Sequence, residues 1–311
     1  MKSRGFIQGL SFISFFLFHA VHIQAVEPEE KSDYFFYLDQ AFEYDNNVIT
    51  NVDKAQTQEA DSVYQTDIWL NLNLTPKHAR DFEIKLYYEF LQYLYDEFTE
   101  FDYQYHAPGG TFSWFASSEQ KVYLEGGYVY TEQDSHELYK GPWAGLGIKH
   151  FFSEKSSVFA GYEISEEDYA PDLEGYDALK HYVEVKYKRA WFPDKLEWAF
   201  SAYAYLNDAE NNGFSYYSLG GEAYLHLYEW PGKFNWDFTF DYSFSEYDDI
   251  YPGFFDERHD HFITVVGKVS YPIYGDNVFV SAKVQYINGF SNLELFDYDQ
   301  VIVGGHVTVS I

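Results

Sequence analysis

The sequence predicts an all-β chain, a transmembrane antiparallel up-and-down β-barrel of about fourteen strands, with about 12–16 compatible. Three observations predict it. Apolar and polar residues alternate with a period of two along most of the chain. The alternating runs are about 10 to 13 residues long, the length a tilted strand needs to cross hydrocarbon, whereas strands in general average about 5 to 6. Compact turn signals also alternate with longer acidic links, as in membrane barrels.

The N-terminus stands apart from this pattern. Lys2 and Arg4 form a positive segment, residues 6–23 are mostly apolar, and Ala25 offers a small residue before a cut. Gln8, Ser11, Ser14, His19 and His22 interrupt the apolar run and argue against an anchor helix. Residues 1–25 are expected to be a signal peptide, 26–33 a short N-terminal segment on the periplasmic side, and 34–311 the barrel. With no cysteine after the signal, lipoprotein anchoring is excluded. No later run reaches the roughly 18 apolar residues of a spanning helix.

The strands follow in order. Within 62–74, Tyr64, Ile68, Leu70, Leu72 and Leu74 oppose Gln65, Asp67, Asn71 and Asn73. Phe82, Ile84, Leu86, Tyr88 and Phe90 alternate with Glu83, Lys85 and Glu89. The same pattern runs through Leu196, Trp198 and Phe200, through Phe234 to Phe244, and through Val278 to Tyr286. Neighbouring side chains of a strand point to opposite faces, so each run has one apolar and one polar face. Compact turns are expected at 75–81, 117–120, 153–156, 192–195, 230–233 and 274–276. Longer acidic links are expected at 45–61, 96–110, 132–141, 165–178, 207–216, 247–260 and 290–298. An even strand number puts both termini on one side. Phe151, Phe152, Trp191, Phe192 and Trp230 precede compact turns, where rings suit a membrane boundary.

Composition narrows the chemistry. Aromatics make up 22% of the chain, with 32 Tyr and 30 Phe, a balance that suits a sheet between lipid and water. The absence of cysteine excludes disulfides and thiolate metal sites. A net charge of −30 excludes nucleic acid as a partner and makes divalent or organic cations the natural counterparts.

Alternation assigns Asp67, Glu83, Glu89, Glu125, Glu163, Glu184, Glu197, Glu222, Asp237 and Asp241 to the inner face. Lys85, Lys121, Lys186, Lys188, Lys268 and Lys283 are expected to face them. Mixed signs across a lumen set up a transverse field, and an acidic excess favours cations. The alternative is that these charges pair and fill the interior. Two acidic groups are candidates for loosely bound Ca²⁺ or Mg²⁺: Glu166, Glu167, Asp168 and Asp172, and Asp248, Asp249, Asp256 and Asp260. Neither has the Asp-x-Asp-x-Asp-Gly form of a dedicated calcium loop, and solvated repulsive loops are the alternative. No other cofactor is expected. For hydrolysis, His106, His136, the run from Asp256 to His261, and Asn288-Gly-Phe-Ser-Asn292 supply candidate groups. Neither Gly-x-Ser-x-Gly nor His-Glu-x-x-His occurs, so the chain is not expected to be an enzyme.

On these strands and turns the whole mature chain resembles Gram-negative outer-membrane β-barrels. In size and expected strand number it is similar to monomeric fourteen-stranded porins. The last strand ends in Val307, Val309 and Ile311 at alternate positions, which resembles the C-terminal insertion signal of such barrels with Ile in place of the usual Phe. Phe42-Glu-Tyr-Asp-Asn-Asn-Val48 and Gly161-Tyr-Glu-Ile-Ser-Glu-Glu-Asp-Tyr169 resemble segments of secretion, polysaccharide-export and surface-lipoprotein assembly barrels. Members of that group often carry a helical periplasmic domain, which this chain is expected to lack. The resemblance implies three partners: outer-membrane lipid, lipopolysaccharide and the barrel-insertion machinery. The lumen and its charges point to passive diffusion of small solutes, leaning toward cationic or neutral ones; the first-strand resemblance implies, as the alternative, export aided by a separate periplasmic partner, and a surface enzyme is a third reading.

Overall fold

Fourteen strands carry the alternating runs. In the computed structural model, which describes residues 34–49, 58–79, 81–171, 173–192 and 195–311, they form a single closed sheet. The strands are β1 (Tyr34–Ile49), β2 (Gln58–Asn73), β3 (Phe82–Tyr95), β4 (Tyr103–Ser117), β5 (Gln120–Gln133), β6 (His136–Ser153) and β7 (Ser156–Tyr169). They continue as β8 (Ala178–Phe192), β9 (Leu196–Ala209), β10 (Tyr216–Leu227), β11 (Asn235–Ile250), β12 (Glu257–Tyr274), β13 (Val278–Ser291) and β14 (Tyr298–Ser310). Each pairs antiparallel with its sequence neighbours, and β1 closes on β14 from Tyr37↔Ser310 to Asp45↔Ile302. Closure leaves no free sheet edge, which hydrocarbon requires because it cannot solvate bare N–H and C=O groups. The expected signal peptide and 26–33 segment lie outside the described residues.

Register carries the alternation around the wall. Pairs such as Asp39↔Asp67, Glu222↔Asp241, Lys268↔Lys283 and Ser281↔His306 keep polar side chains on one face from strand to strand. The opposite face carries Leu, Phe, Val and Ile side chains. Leu124 and Leu146 are each 59% exposed and Phe200 56%, on a surface that would be anomalous in water and is ordinary in lipid. Trp191 and Trp230 are exposed at turn ends, as expected for a boundary girdle. Leu146→Arg, near the middle of β6, is expected to destabilise the inserted barrel by about 2–4 kcal/mol. The check is a gel-mobility assay of folding into lipid vesicles; wild-type folding would contradict a lipid-facing Leu146.

The strands run further than their sequences suggest, and the links are correspondingly short. The expected 132–141 link is a hairpin turning at Asp134 and Ser135, both with positive φ (49° and 61°). Similarly, 165–169 and 247–250 belong to β7 and β11, and 257–260 belongs to β12. Charged residues at alternate positions near a strand end look like a loop in sequence, although they are extended backbone with its polar side chains in water.

Four connections at the end opposite the termini share one construction. The 3₁₀ turns Thr99–Phe101, Glu174–Tyr176, Asn212–Phe214 and Glu294–Phe296 are each separated from the following strand by one residue. The residue after each turn accepts a hydrogen bond from the backbone N–H at the end of the preceding strand. The donors are Tyr95 to Asp102 (2.8 Å), Tyr169 to Asp177 (2.7 Å), Ala209 to Ser215 (2.9 Å) and Ser291 to Asp297 (2.5 Å). Burial, with Asp134, Asp61 and Glu100 nearby, holds the Asp102 carboxyl above its ordinary value despite that N–H donor. The turn rings then join neighbouring connections: Tyr176 stacks on Phe214 at 3.9 Å, Phe214 meets Tyr251 at 5.5 Å, and Tyr251 meets Phe296 at 5.0 Å.

Candidate functional site: the charged and aromatic lumen

Every strand contributes alternate residues to the inner face, so the candidate site is the lumen wall itself. All sixteen inner charges expected from alternation lie at inner register positions: the ten acids from Asp67 to Asp241 and the six lysines from Lys85 to Lys283. The structure then decides which of them meet. Lys121 approaches Glu83 at 2.9 Å, with Lys85 at 3.9 Å from the same carboxylate. Lys188 pairs with Glu197 at 2.8 Å and Lys186 with Glu222 at 3.7 Å. Lys283 reaches Glu43 at 2.5 Å, and the charge of Lys268 acts on both Asp39 and Asp67. Asp237 pairs with the His226 ring and accepts from the Tyr224 hydroxyl at 2.9 Å. Asp241 accepts from the Tyr203 hydroxyl at 2.9 Å. The charges of Glu89, Glu125 and Glu163 act on Tyr87, and those of Glu184, Glu222 and Glu163 on Tyr182.

Sequence reasoning missed part of this wall. Asp39, Glu43 and Asp45 on β1 are buried inner carboxylates, and their alternation in Asp39-Gln-Ala-Phe-Glu-Tyr-Asp45 was signal enough to find them. His306 on β14 lies between two of them, with Nδ1 2.8 Å from Asp39 and Nε2 3.2 Å from Glu43. The larger omission is tyrosine. Tyr103, Tyr139, Tyr169, Tyr205, Tyr247 and Tyr298 are buried inside the barrel near the end opposite the termini. Tyrosines occupy both faces: Tyr64, Tyr128 and Tyr286 are exposed on the outer wall, whereas these six turn inward, where a hydroxyl finds polar partners. The interior is therefore polar in its middle and aromatic toward that end.

The two acidic groups do not assemble metal sites. In β7, strand alternation leaves Glu166 and Asp168 exposed on one face and turns Glu167 to the other. There Glu167 forms an ion pair with Lys180 and accepts from the Tyr169 hydroxyl at 2.8 Å. Asp172 lies outside the described residues. Asp248, Asp249 and Asp256 are exposed, but Asp260 is buried against Arg258 at 2.7 Å. Among the described residues no three His, Cys, Asp or Glu side chains converge as ligands.

Nor do the hydrolytic candidates converge. His106 and His261 lie on the outer face, with their Nδ1 atoms 2.8 and 2.9 Å from the hydroxyls of Tyr88 and Tyr242. The His136 ring meets the Asp134 carbonyl at 2.6 Å. Asn292 clamps the rim, accepting from the His259 N–H at 2.7 Å and donating to the Glu257 carbonyl at 2.8 Å.

No family model matches the sequence, and no curated protein matches it closely enough to relate the two. Solved structures do resemble the fold. OmpT, an outer membrane protein of Vibrio cholerae, aligns with a TM-score of 0.52 and 10% identity over 91% of this chain and 99% of that one. The outer membrane channel DcaP of Acinetobacter baumannii aligns with a TM-score of 0.51 and 11% identity over 89% and 96%. OprD of Pseudomonas aeruginosa aligns at 0.46 and 10% identity over 91% and 97%. At such identities the likeness is one of fold: the chain has the closed antiparallel all-β barrel fold of bacterial outer-membrane proteins.

Proposed function

We propose that the chain is an outer-membrane channel for passive diffusion of small solutes, with a preference for cations. The observation that carries the reading is the conjunction of a closed barrel, an apolar outer wall and an inner wall lined with charge. A wall of this kind has no stabilising purpose that an apolar core would not serve better, because buried ion pairs roughly break even against apolar packing. Cation preference rests on the acidic excess: the whole chain carries −30, and lysines at inner positions are engaged with carboxylates. With the termini on the periplasmic side, the aromatic end of the lumen faces the cell exterior. The chain is read as non-catalytic, since the candidate histidines point to lipid or bind the rim.

Planar-bilayer recording of the purified barrel tests this. In a KCl gradient we expect discrete conductance steps and a reversal potential displaced toward that of K⁺. A bilayer that stays silent at high protein load would remove the channel, and a reversal potential toward Cl⁻ would remove the preference.

A further inference from the structure

Rings lie over glycines at several points of the inner wall, as Tyr203 does over Gly220 and Tyr298 over Gly289, and one stretch sets two rings over two adjacent glycines. Tyr87 on β3, Gly109 on β4, Gly127 on β5 and Trp143 on β6 are successive register partners across four strands. The two outer members carry rings and the two inner ones carry no side chain. The rings lie over the glycines. A Cβ at Gly109 would come within 2.5 Å of the Tyr87 ring, and one at Gly127 within 2.8 Å of Trp143 Nε1 and 2.4 Å of the Pro108 carbonyl. Folded down in this way, Tyr87 and Trp143 approach to 6.4 Å, and Trp69 stacks on Tyr87 at 5.6 Å and 23°. The result is an aromatic plate recessed into the wall and half-exposed to the lumen.

Carboxylates border this plate. Glu89 is two residues along β3 from Tyr87 on the same face. Glu125 and Glu163 flank Gly145, which pairs with both. All three act electrostatically on Tyr87. Aromatic faces attract cations through the ring quadrupole, most strongly where water is partly excluded. Carboxylates at the edge supply the opposing charge. A small alkali ion gains little from such a plate because it keeps its hydration shell, whereas a weakly hydrated organic cation gains from both.

We infer that this recess, Tyr87 and Trp143 over Gly109 and Gly127 with Glu125 and Glu163 at its margin, is a binding station for organic cations of the guanidinium or alkylammonium class. The inference deepens the channel reading by naming a substrate class, and it rests on that reading only for transport.

The test uses the full mature barrel with two probes, guanidinium and tetramethylammonium, and urea as the neutral control. Binding is read by calorimetry in detergent, and block of K⁺ current is read in planar bilayers. Both cations are expected to bind and block, with affinity about tenfold weaker in Trp143→Leu and in the double variant Glu125→Gln/Glu163→Gln. Heat-modified gel mobility and β-sheet circular dichroism identify variants that have kept the fold. Gly127→Val, which closes the recess without touching a charge, is a further variant expected to weaken binding. Absence of cation heat in the wild-type barrel overturns the station whatever the conductance. So does equal affinity for urea, or affinity unchanged in well-folded Trp143→Leu and Glu125→Gln/Glu163→Gln. Binding in detergent beside a silent bilayer would instead overturn the channel and leave the station standing.

Discussion

Arg258→Met is expected to destabilise the rim opposite the termini by about 3–5 kcal/mol, the typical cost of leaving a buried charge without its partner. Arg258 and Asp260 are each only 1% exposed. The guanidinium contacts Asp260 at 2.7 Å and lies 3.5 Å from the centre of the Phe296 ring, with Tyr247 and Tyr251 at 4.9 and 5.0 Å. These rings come from β11 and from the connections following β11 and β13, so one cation joins three segments. Its loss leaves a carboxylate in an aromatic cage and frees those segments from each other. Limited proteolysis of the folded barrel should then cut within 251–256 and 292–297 while the strands stay protected. Arg258→Met combined with Asp260→Leu should recover most of the loss, because an apolar pair of similar volume replaces a buried ion pair at little cost. Wild-type protease resistance in the single variant would show that the cage holds nothing together.

Lys283→Met should have its effect at the seam where the first and last strands meet. Glu43, 3% exposed, is 2.5 Å from Lys283 Nζ on β13 and 3.2 Å from His306 Nε2 on β14. His306 and the Thr308 hydroxyl in turn each lie 2.8 Å from Asp39. The network ties β13 and β14 to β1, across the β1–β14 pairing that closes the barrel. Removing the lysine leaves Glu43 short of its principal cation, at an expected cost of about 3 kcal/mol. The readout is the temperature at which the folded band converts to the unfolded one on a gel. Adding Glu43→Gln should restore much of that temperature, since the orphaned charge is then gone. An unchanged transition in Lys283→Met would place the seam's stability in its backbone pairing alone.

The difference between these sites and the simple alternation around them shows where sequence reading ran out. Leu70, Leu86 and Phe240 were legible as outward residues and Asp67, Glu83 and Asp241 as inward ones, because a strand's two faces follow from parity. Parity also contained the correction to the acidic groups: Glu166, Glu167 and Asp168 cannot share a ligand once 165–169 is a strand. The mistake was to read charge density as a loop. The inward tyrosines were left unassigned for a related reason. A ring with a hydroxyl suits either face, and only its position in the closed wall shows that Tyr103, Tyr139 and Tyr247 look inward.

The order of amino acids by itself determined the extended backbone, the two faces of each strand and so the barrel class, because these depend on side chains one and two residues apart; the strand number, about fourteen from sequence, was fixed by the closed pairing. Closure and register decided everything that joins distant segments: Asp39 to His306, which follows it by 267 residues, Glu43 to Lys283, and Tyr87 to Trp143 over two glycines. Contacts across neighbouring strands are set by how the sheet slides and curls into a cylinder, a property of the whole wall that no single strand contains.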